Sequence, residues 1–504
     1  MQNVTGTNLA TNWKATDATP VCHVYADWDG DGDYNLPDED LTDYVLKVNV
    51  THRLLDPVFG LPVLGAGRPA EATITLNNAG HRYSPENASG LAGTYTSISQ
   101  QLCYRVPVVI DMGYVDTVNG EEVTRQFTGQ IEGVQPAEAG GQRQLVYTCR
   151  GREALLERLT LDTGALQDQR IDKIIAMRLS GAGMTSMLLD RALFTLPYEW
   201  SDSENLLAHL QDLAAADGGW LYWSKEGQAR FERATHWLEG THPTVVETLT
   251  TGLAVRQDQD TSWRNIYRSV IVDYAAISDG PVQVVYRAAS PIEVRPNDTE
   301  EVTCVFTTPV TGVIKPEEGD DYDPTAPLGI SMEAYCLLSL TSTAGRAVAT
   351  FTNTHPTLSI FVKGFFLEGY TILRGDAQQV QVDSTLGLIP GQREYHLSQN
   401  PWVFCKDQAE MLACRLLDLL QQPAIVYTWT GRLCPYLEMG DKVKITNAAQ
   451  GLSEDCYIVG MQITYGPAPR MSLELIPASR VFSGGPYFVL GSSKYQDPSD
   501  EVYY

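Results

Sequence analysis

The chain has 504 residues, 43% of them hydrophobic and 19% charged, and its 36 Lys+Arg against 62 Asp+Glu leave a formal charge of −26. At ~150 residues per domain the length corresponds to three or four domains, and the composition excludes a disordered polymer. The acidic balance disfavours a nucleic-acid binder, which needs clustered Lys and Arg against phosphates, and disfavours adhesion to an anionic membrane.

Residues 1–19 are polar with no apolar period and are expected to form an arm. They lack the basic start and apolar core of a signal peptide, and no apolar run approaches the ~18 residues of a spanning helix. The expectation is a soluble chain with no membrane anchor, made in a cytoplasm. From Val21 the chain alternates in the manner of strands. Val21–Tyr25, Tyr44–Val50, Thr73–Leu76, Val106–Ile110, Phe127–Ile131 and Leu145–Cys149 carry β-branched and aromatic residues between turn clusters such as Asn77-Asn78-Ala79-Gly80. Short strands separated by turns indicate a barrel or sandwich over 20–155.

Residues 156–250 read as an α+β module. Ser203 can cap a helix whose apolar positions Leu206, Leu207, Leu210, Leu213 and Ala214 recur at threes and fours, and Gly218-Gly219 stops it. Trp220–Trp223 and Ala229–Phe231 then form a hairpin, with Trp220 and Trp223 expected on a common face. Residues 251–375 are strand-rich, with an acidic, Pro-containing loop from Lys315 to Pro327. Residues 376–480 hold a second helix, Lys406 to about Gln421, ended by Pro423, and the strands around Val443–Ile445, Tyr457–Val459 and Leu473–Leu475. Residues 481–504 are Gly-, Ser-, Tyr- and Asp-rich and read as a tail. Phe127-x-Gly129-x-Ile131 followed by Leu145-x-Tyr147 is echoed by Tyr457-x-Val459 and Leu473-x-Leu475, which raises structural repetition as a possibility to be decided by the fold.

The sharpest motif is Asp27-Trp28-Asp29-Gly30-Asp31-Gly32-Asp33-Tyr34-Asn35-Leu36-Pro37-Asp38. Asp27, Asp29, Asp31 and Asp33 are carboxylates at alternate positions that can converge on one hard cation. Gly32 permits the bend, and Asp38 stands where a calcium loop places its bidentate acid. These five residues are the candidate calcium ligands, in a structural role; a strand precedes them where that motif expects a helix, and an acidic β-turn is the competing explanation. Gly65-Ala66-Gly67-Arg68-Pro69-Ala70 fits Gly-x-Gly-x-x-Ala, but Pro69 and the strand that follows leave no helix to hold a pyrophosphate. The nine cysteines are scattered with no CxxC, so neither a zinc site nor a disulfide framework is expected. No histidine lies in a zinc or nucleophile motif. Asp320 and Asp321 sit in a charged loop, and no enzymatic reading has a geometric anchor.

Several motifs in order resemble a known family. Tyr25–Asp33, Glu39-Asp40-Leu41-Thr42, Ala72-x-Ile74-Thr75-Leu76-Asn77-Asn78 and Arg82-Tyr83-Ser84-Pro85-x-Asn87 are similar to the opening of hub and minor tail proteins of long-tailed bacteriophages. Phe127–Ile131 and Tyr147–Leu156 fit the continuation, and Leu437–Ile445 with Tyr457-x-Val459-x-x-x-Ile463 resembles the closing barrel. The resemblance implies a mainly β fold with α+β insertions: two tube-type β-barrel domains, here near 20–155 and 376–480, plus smaller intervening domains. It implies a non-catalytic structural virion protein of the tail tip or baseplate. As a homotrimer it would ring the end of the tail tube, and join the distal tail protein to a central fibre or spike protein. The tape measure protein is a further candidate partner, and double-stranded DNA would pass through the lumen without specific binding. A calcium-dependent polysaccharide-binding protein or depolymerase, and a sixfold distal ring protein, are the alternatives.

Overall fold

The computed structural model describes residues 2, 7–15, 17–54, 64–84, 87, 90–91, 105–116, 118–139, 141–233, 235–238, 242, 244–262, 266–327, 329–384, 393–397 and 400–481. The tail expected over 481–504 therefore lies almost wholly outside the described residues. The chain is mainly β with small α+β insertions, as the resemblance implies.

A 12-stranded sheet spans two distant stretches of sequence. The first contributes β1 (Thr19–Ala26), β2 (Val45–Arg53), β3 (Arg68–Asn77), β4 (Pro107–Asp116), β5 (Gly120–Ala139) and β6 (Gln142–Gly151). The second contributes β7 (Glu247–Thr250), β8 (Ala254–Ser262), β9 (Ala424–Gly431), β10 (Lys442–Asn447), β11 (Leu452–Tyr465) and β12 (Arg470–Pro477). Hydrogen bonding orders the first set β1-β4-β5-β6-β3-β2 and the second β7-β10-β11-β12-β9-β8. Numbered along the chain within each set, both follow one permutation, first-fourth-fifth-sixth-third-second. The echo in the sequence is thus a duplicated six-stranded unit. The two copies are fused where β2 pairs antiparallel with β11, from Val48 opposite Tyr465 to Arg53 opposite Gly460. Their long hairpins even share an irregularity: β5–β6 slips register between Ile131 and Gly133, β11–β12 between Ile458 and Gly460. Such a bulge adds twist and curls the sheet.

Period-two burial builds these strands. In β3, Ala70, Ala72, Ile74 and Leu76 are buried while their neighbours are not. Each unit also covers a close backbone approach with an aromatic ring two residues away on the same face. A Cβ at Gly129 would meet the Phe127 ring at 2.5 Å, and one at Gly431 the Trp429 ring at 2.3 Å. Both rings are fully buried, a gain on the order of 2–3 kcal/mol each.

Between the units lies the α+β module. α1 (Ile171–Gly181) buries Ile171, Ile174, Ile175 and Leu179, and α2 (Leu206–Ala216) buries Leu206, Leu210, Leu213 and Ala214. Sequence reading missed α1, although its apolar spacing is helical. Asn205, not Ser203, caps α2: its side chain accepts from Ala208 N at 3.0 Å. Ser203 instead sits at φ +55 in Asp202–Asn205, a strand bonded to Thr160–Asp162. The hairpin Trp220–Trp223 with Ala229–Glu232 forms as expected, but alternation puts Trp220 with Tyr222 on one face and Trp223 on the other. Gly65-Ala66-Gly67, the formal nucleotide motif, runs parallel to Trp220-Leu221 beside α2. Gly65 has φ +92, and a Cβ there would lie 2.8 Å from the Ala215 Cβ, so glycine serves packing.

The strand pairing divides the later chain differently from the linear division at 251 and 375. β7 and β8 belong with β9–β12. Ser269–Tyr274 pairs with Gln378–Asp383 and Glu394–Leu397, and this sheet packs on α3 (Lys406–Leu420). Within it, strands between Ile277 and Arg374 enclose a separate core containing Val285, Cys304, Phe351, Phe365 and Leu367. Non-local pairing of this kind leaves no mark on local pattern. The expected N-terminal arm is docked: Leu9 and Trp13 are buried, Asn12 Nδ2 donates to Asp116 Oδ2 at 2.9 Å, and Lys14 pairs with Glu247 at 2.8 Å. The arm thereby bridges both units.

Candidate functional site

The acidic loop follows β1. Ala26 N donates to Glu39 O and Leu41 N to Val24 O, both at 2.9 Å, so the segment entering β2 folds back on β1. That turns Asp27 inward, 2% exposed, where its Oδ1 accepts from Gly30 N at 2.6 Å and its Oδ2 from Gly32 N at 3.0 Å. Asp29 and Asp31 repeat the arrangement further out, accepting from Asp31 N at 3.3 Å and Asp33 N at 2.8 Å. Trp28 is buried, and its Nε1 donates to Asp38 O at 3.1 Å.

Of the five predicted ligands, Asp27 and Asp29 come together. Asp31 and Asp33 are exposed in turns of their own. Asp38 is taken by Arg82, whose guanidinium also donates to Tyr44 OH at 3.1 Å and lies over the Tyr44 and Tyr83 rings at 5.2 and 5.8 Å. The third carboxylate is Glu39, which sequence reading passed over: one carboxylate oxygen each from Asp27, Asp29 and Glu39 lie within 4.8 Å of one another. Glu39 is 1% exposed; its Oε2 accepts from Leu36 N at 2.9 Å, and among the described residues its Oε1 has no hydrogen-bond partner. Burial, with Asp29 and Asp27 adding to it, raises the Glu39 carboxyl above the usual range. The signal that could have found it is the acid directly after Asp38. The Arg82–Asn87 stretch proves to be a folded corner: Asn78 Oδ1 accepts from Tyr83 N at 3.1 Å, Asn78 Nδ2 donates to Ser84 Oγ at 2.8 Å, and Asn87 Nδ2 to His81 O at 3.0 Å.

A second polar cluster joins three parts of the molecule. Lys225, at the hairpin turn of the α+β module, is 3% exposed; its Nζ donates to Gln126 Oε1 on β5 at 2.6 Å and to Pro435 O, between β9 and β10, at 3.1 Å. Gln126 Nε2 donates to the same Pro435 oxygen at 2.8 Å, and Tyr114 OH to Leu433 O at 2.7 Å. Burial lowers Lys225 to about 8 and neighbouring His52 to about 4. Alongside, Glu232 accepts from Tyr222 OH at 2.5 Å and Trp237 Nε1 at 2.8 Å, and the Trp237 ring stacks between Trp220 and Tyr457.

His209 on α2 is buried with its Nε2 2.7 Å from Glu199 and its Nδ1 3.0 Å from Glu204, while Arg178 donates to Glu199 at 2.6 Å. Burial alone would lower its pKa; the two carboxylates overcome that and raise it. His209 is 1% exposed, and the arrangement is an ion network of the module. Asp321 Oδ2 accepts from Glu317 N at 2.7 Å, which closes an acidic turn. Among the described residues no helix is long and apolar enough to cross a membrane.

No family model matches the chain, and no curated protein sequence does. Solved structures do resemble it. A tail protein from Neisseria meningitidis MC58 aligns over 91% of this chain and 97% of its own, with a TM-score of 0.50 at 9% identity. The 43 kDa tail protein of prophage MuSo2 from Shewanella oneidensis aligns over 92% and 99%, with a TM-score of 0.49 at 10% identity. At such identity the likeness is one of architecture: this chain has the fold of a tail protein, which is the fold its resemblance to phage tail hubs implies.

Proposed function

We propose that the chain is a non-catalytic structural hub at the tail tip or baseplate of a tailed phage, acting as a homotrimer. The duplicated six-stranded unit carries the proposal. A chain holding two copies of one unit lets three chains present six, so a threefold ring can abut a sixfold tube with one contact repeated at each copy. The two tube-type barrels are then β1–β6 and β7–β12, with the α+β module and the 277–374 domain as outgrowths. The ring joins the distal tail protein to a central fibre or spike. The surplus of acid suits a passage for DNA, because like charge repels the duplex over ~8 Å at physiological salt and prevents adhesion.

Mass photometry of the purified protein and symmetry-resolved imaging of the particle test this. Three copies at the tube's end are expected. Six copies would assign a distal ring, and release of reducing ends from host polysaccharide would assign a depolymerase.

A further inference from the structure

We infer that the chain binds one calcium ion through Asp27, Asp29 and Glu39, a ligand set different from the one the Asp-x-Asp-x-Asp-Gly pattern specifies. The inference stands apart from the role in a tail. One carboxylate oxygen from each residue lies within 4.8 Å of the others. Oxygens on opposite sides of a calcium ion, each at about 2.4 Å, are about 4.8 Å apart, so the three can share one ion. The independent observation is Glu39 Oε1: it belongs to a side chain only 1% exposed, within this cluster, and among the described residues it lacks a hydrogen-bond partner, although the Leu36 and Trp28 backbone N–H groups both favour the carboxylate's charged form. A buried, ionised oxygen without a donor is costly and is satisfied by a cation.

Among the described residues no protein cation takes that place. Arg82, which lies at the same loop, is held by Asp38, and among the described residues no ion pair reaches Asp27, Asp29 or Glu39. The donors are all carboxylate oxygens without His or Cys, which favours a hard cation. Asp29 is exposed and leaves the ion an entrance. Asp27 is already oriented by two backbone N–H groups.

The duplication says what the ion does. In the second unit the first strand, β7, passes to the next, β8, through the three residues 251–253. In the first unit the same link, between β1 and β2, covers residues 27–44. Asp27 leaves β1 and Glu39 lies on the return toward β2, so the ion ties together in one copy what a short turn ties in the other.

Calorimetry with CaCl₂ and terbium luminescence excited through Trp28, both on the full chain, test the inference. We expect one ion per chain with a Kd of about 10⁻³ M or tighter. Glu39→Gln should weaken binding more than ~10-fold, whereas Asp31→Asn and Asp33→Asn should stay within about threefold, because only the former loses a ligand charge. In EDTA, Glu39→Gln should melt at or above the wild-type temperature, since an unpaired buried charge is gone; calcium should raise the melting temperature of the wild type alone. The inference is overturned by an absence of heat and of sensitised emission at millimolar ion. Loss of binding in Asp31→Asn with retention in Glu39→Gln would overturn it too, as would an equal destabilisation by Glu39→Gln with and without calcium.

Discussion

The two six-stranded units follow the same path but are dressed differently. In the first, the link from second to third strand is residues 54–67, which end by laying Gly65-Ala66 beside the α+β module. In the second, the same link is residues 263–423 and holds a three-stranded sheet, a domain with its own core, and α3. The link from first to second strand reverses the contrast: long and acidic in the first unit, three residues in the second. The opening strand differs too, since β1 pairs antiparallel with β4 while β7 pairs parallel with β10. Pairing and burial preserve the sheet; connections on the surface are free to lengthen, and they carry whatever distinguishes one copy from the other.

The largest effects should come from the shared device. Phe127→Ala and Trp429→Ala each empty a fully buried site beside a glycine, and each should cost ~3–5 kcal/mol in denaturant unfolding. Because β2 is bonded to β11, both should lower one cooperative transition; two separate transitions would break the idea of a fused pair.

Lys225→Met tests the junction. It leaves Gln126 Oε1 without its donor, so a loss of about 1–3 kcal/mol is expected at neutral pH. The sign of its pH dependence follows from a base lowered from 10.5 to about 8: between those values the unfolded chain holds more protons, and wild-type stability gains with rising pH. The variant should lack that gain, so the gap between the two should widen above pH 8 in parallel denaturation curves.

His209→Gln should cost ~1–2 kcal/mol, and the cost should be greatest below pH 6.5. The folded pKa is raised, so the contribution is complete below the ordinary value of 6.5 and disappears as pH climbs through the folded value. A gap independent of pH from 5 to 8 would contradict the charged pairing with Glu199 and Glu204.

The smallest effect is expected from the outgrowth. Val282 and Tyr370 are cross-strand partners, so residues 283–369 can be replaced by a short Gly-Ser link. The remaining chain should keep its sheet, with a melting temperature within a few degrees of the original. Collapse of the 12-stranded sheet would make the domain an integral support.

Local pattern made much of this legible. The alternation in β3, the three-and-four spacing of α2 and α3, the turns at Asn77-Asn78 and Gly218-Gly219, and the echo between the two hairpins all stand in the sequence, because each depends on residues a few positions apart. α1 was legible by the same rule and overlooked. The Asp-rich motif pointed to the loop in which Asp27 and Asp29 come together, but not to Glu39, the third carboxylate of that cluster.

What local pattern could not supply is who meets whom. That β8 bonds to β9 across residues 263–423, that β2 joins β11, that Lys225 reaches Pro435, and that Arg82 claims Asp38 and leaves Glu39 to face Asp27 were decided by the tertiary structure. The physical reason is that a strand's side-chain period is satisfied by any partner with a complementary face, and a carboxylate by any donor within reach. Residue type therefore determined strands, helices and an acidic loop, while the choice among partners came only when the whole chain buried its apolar faces together.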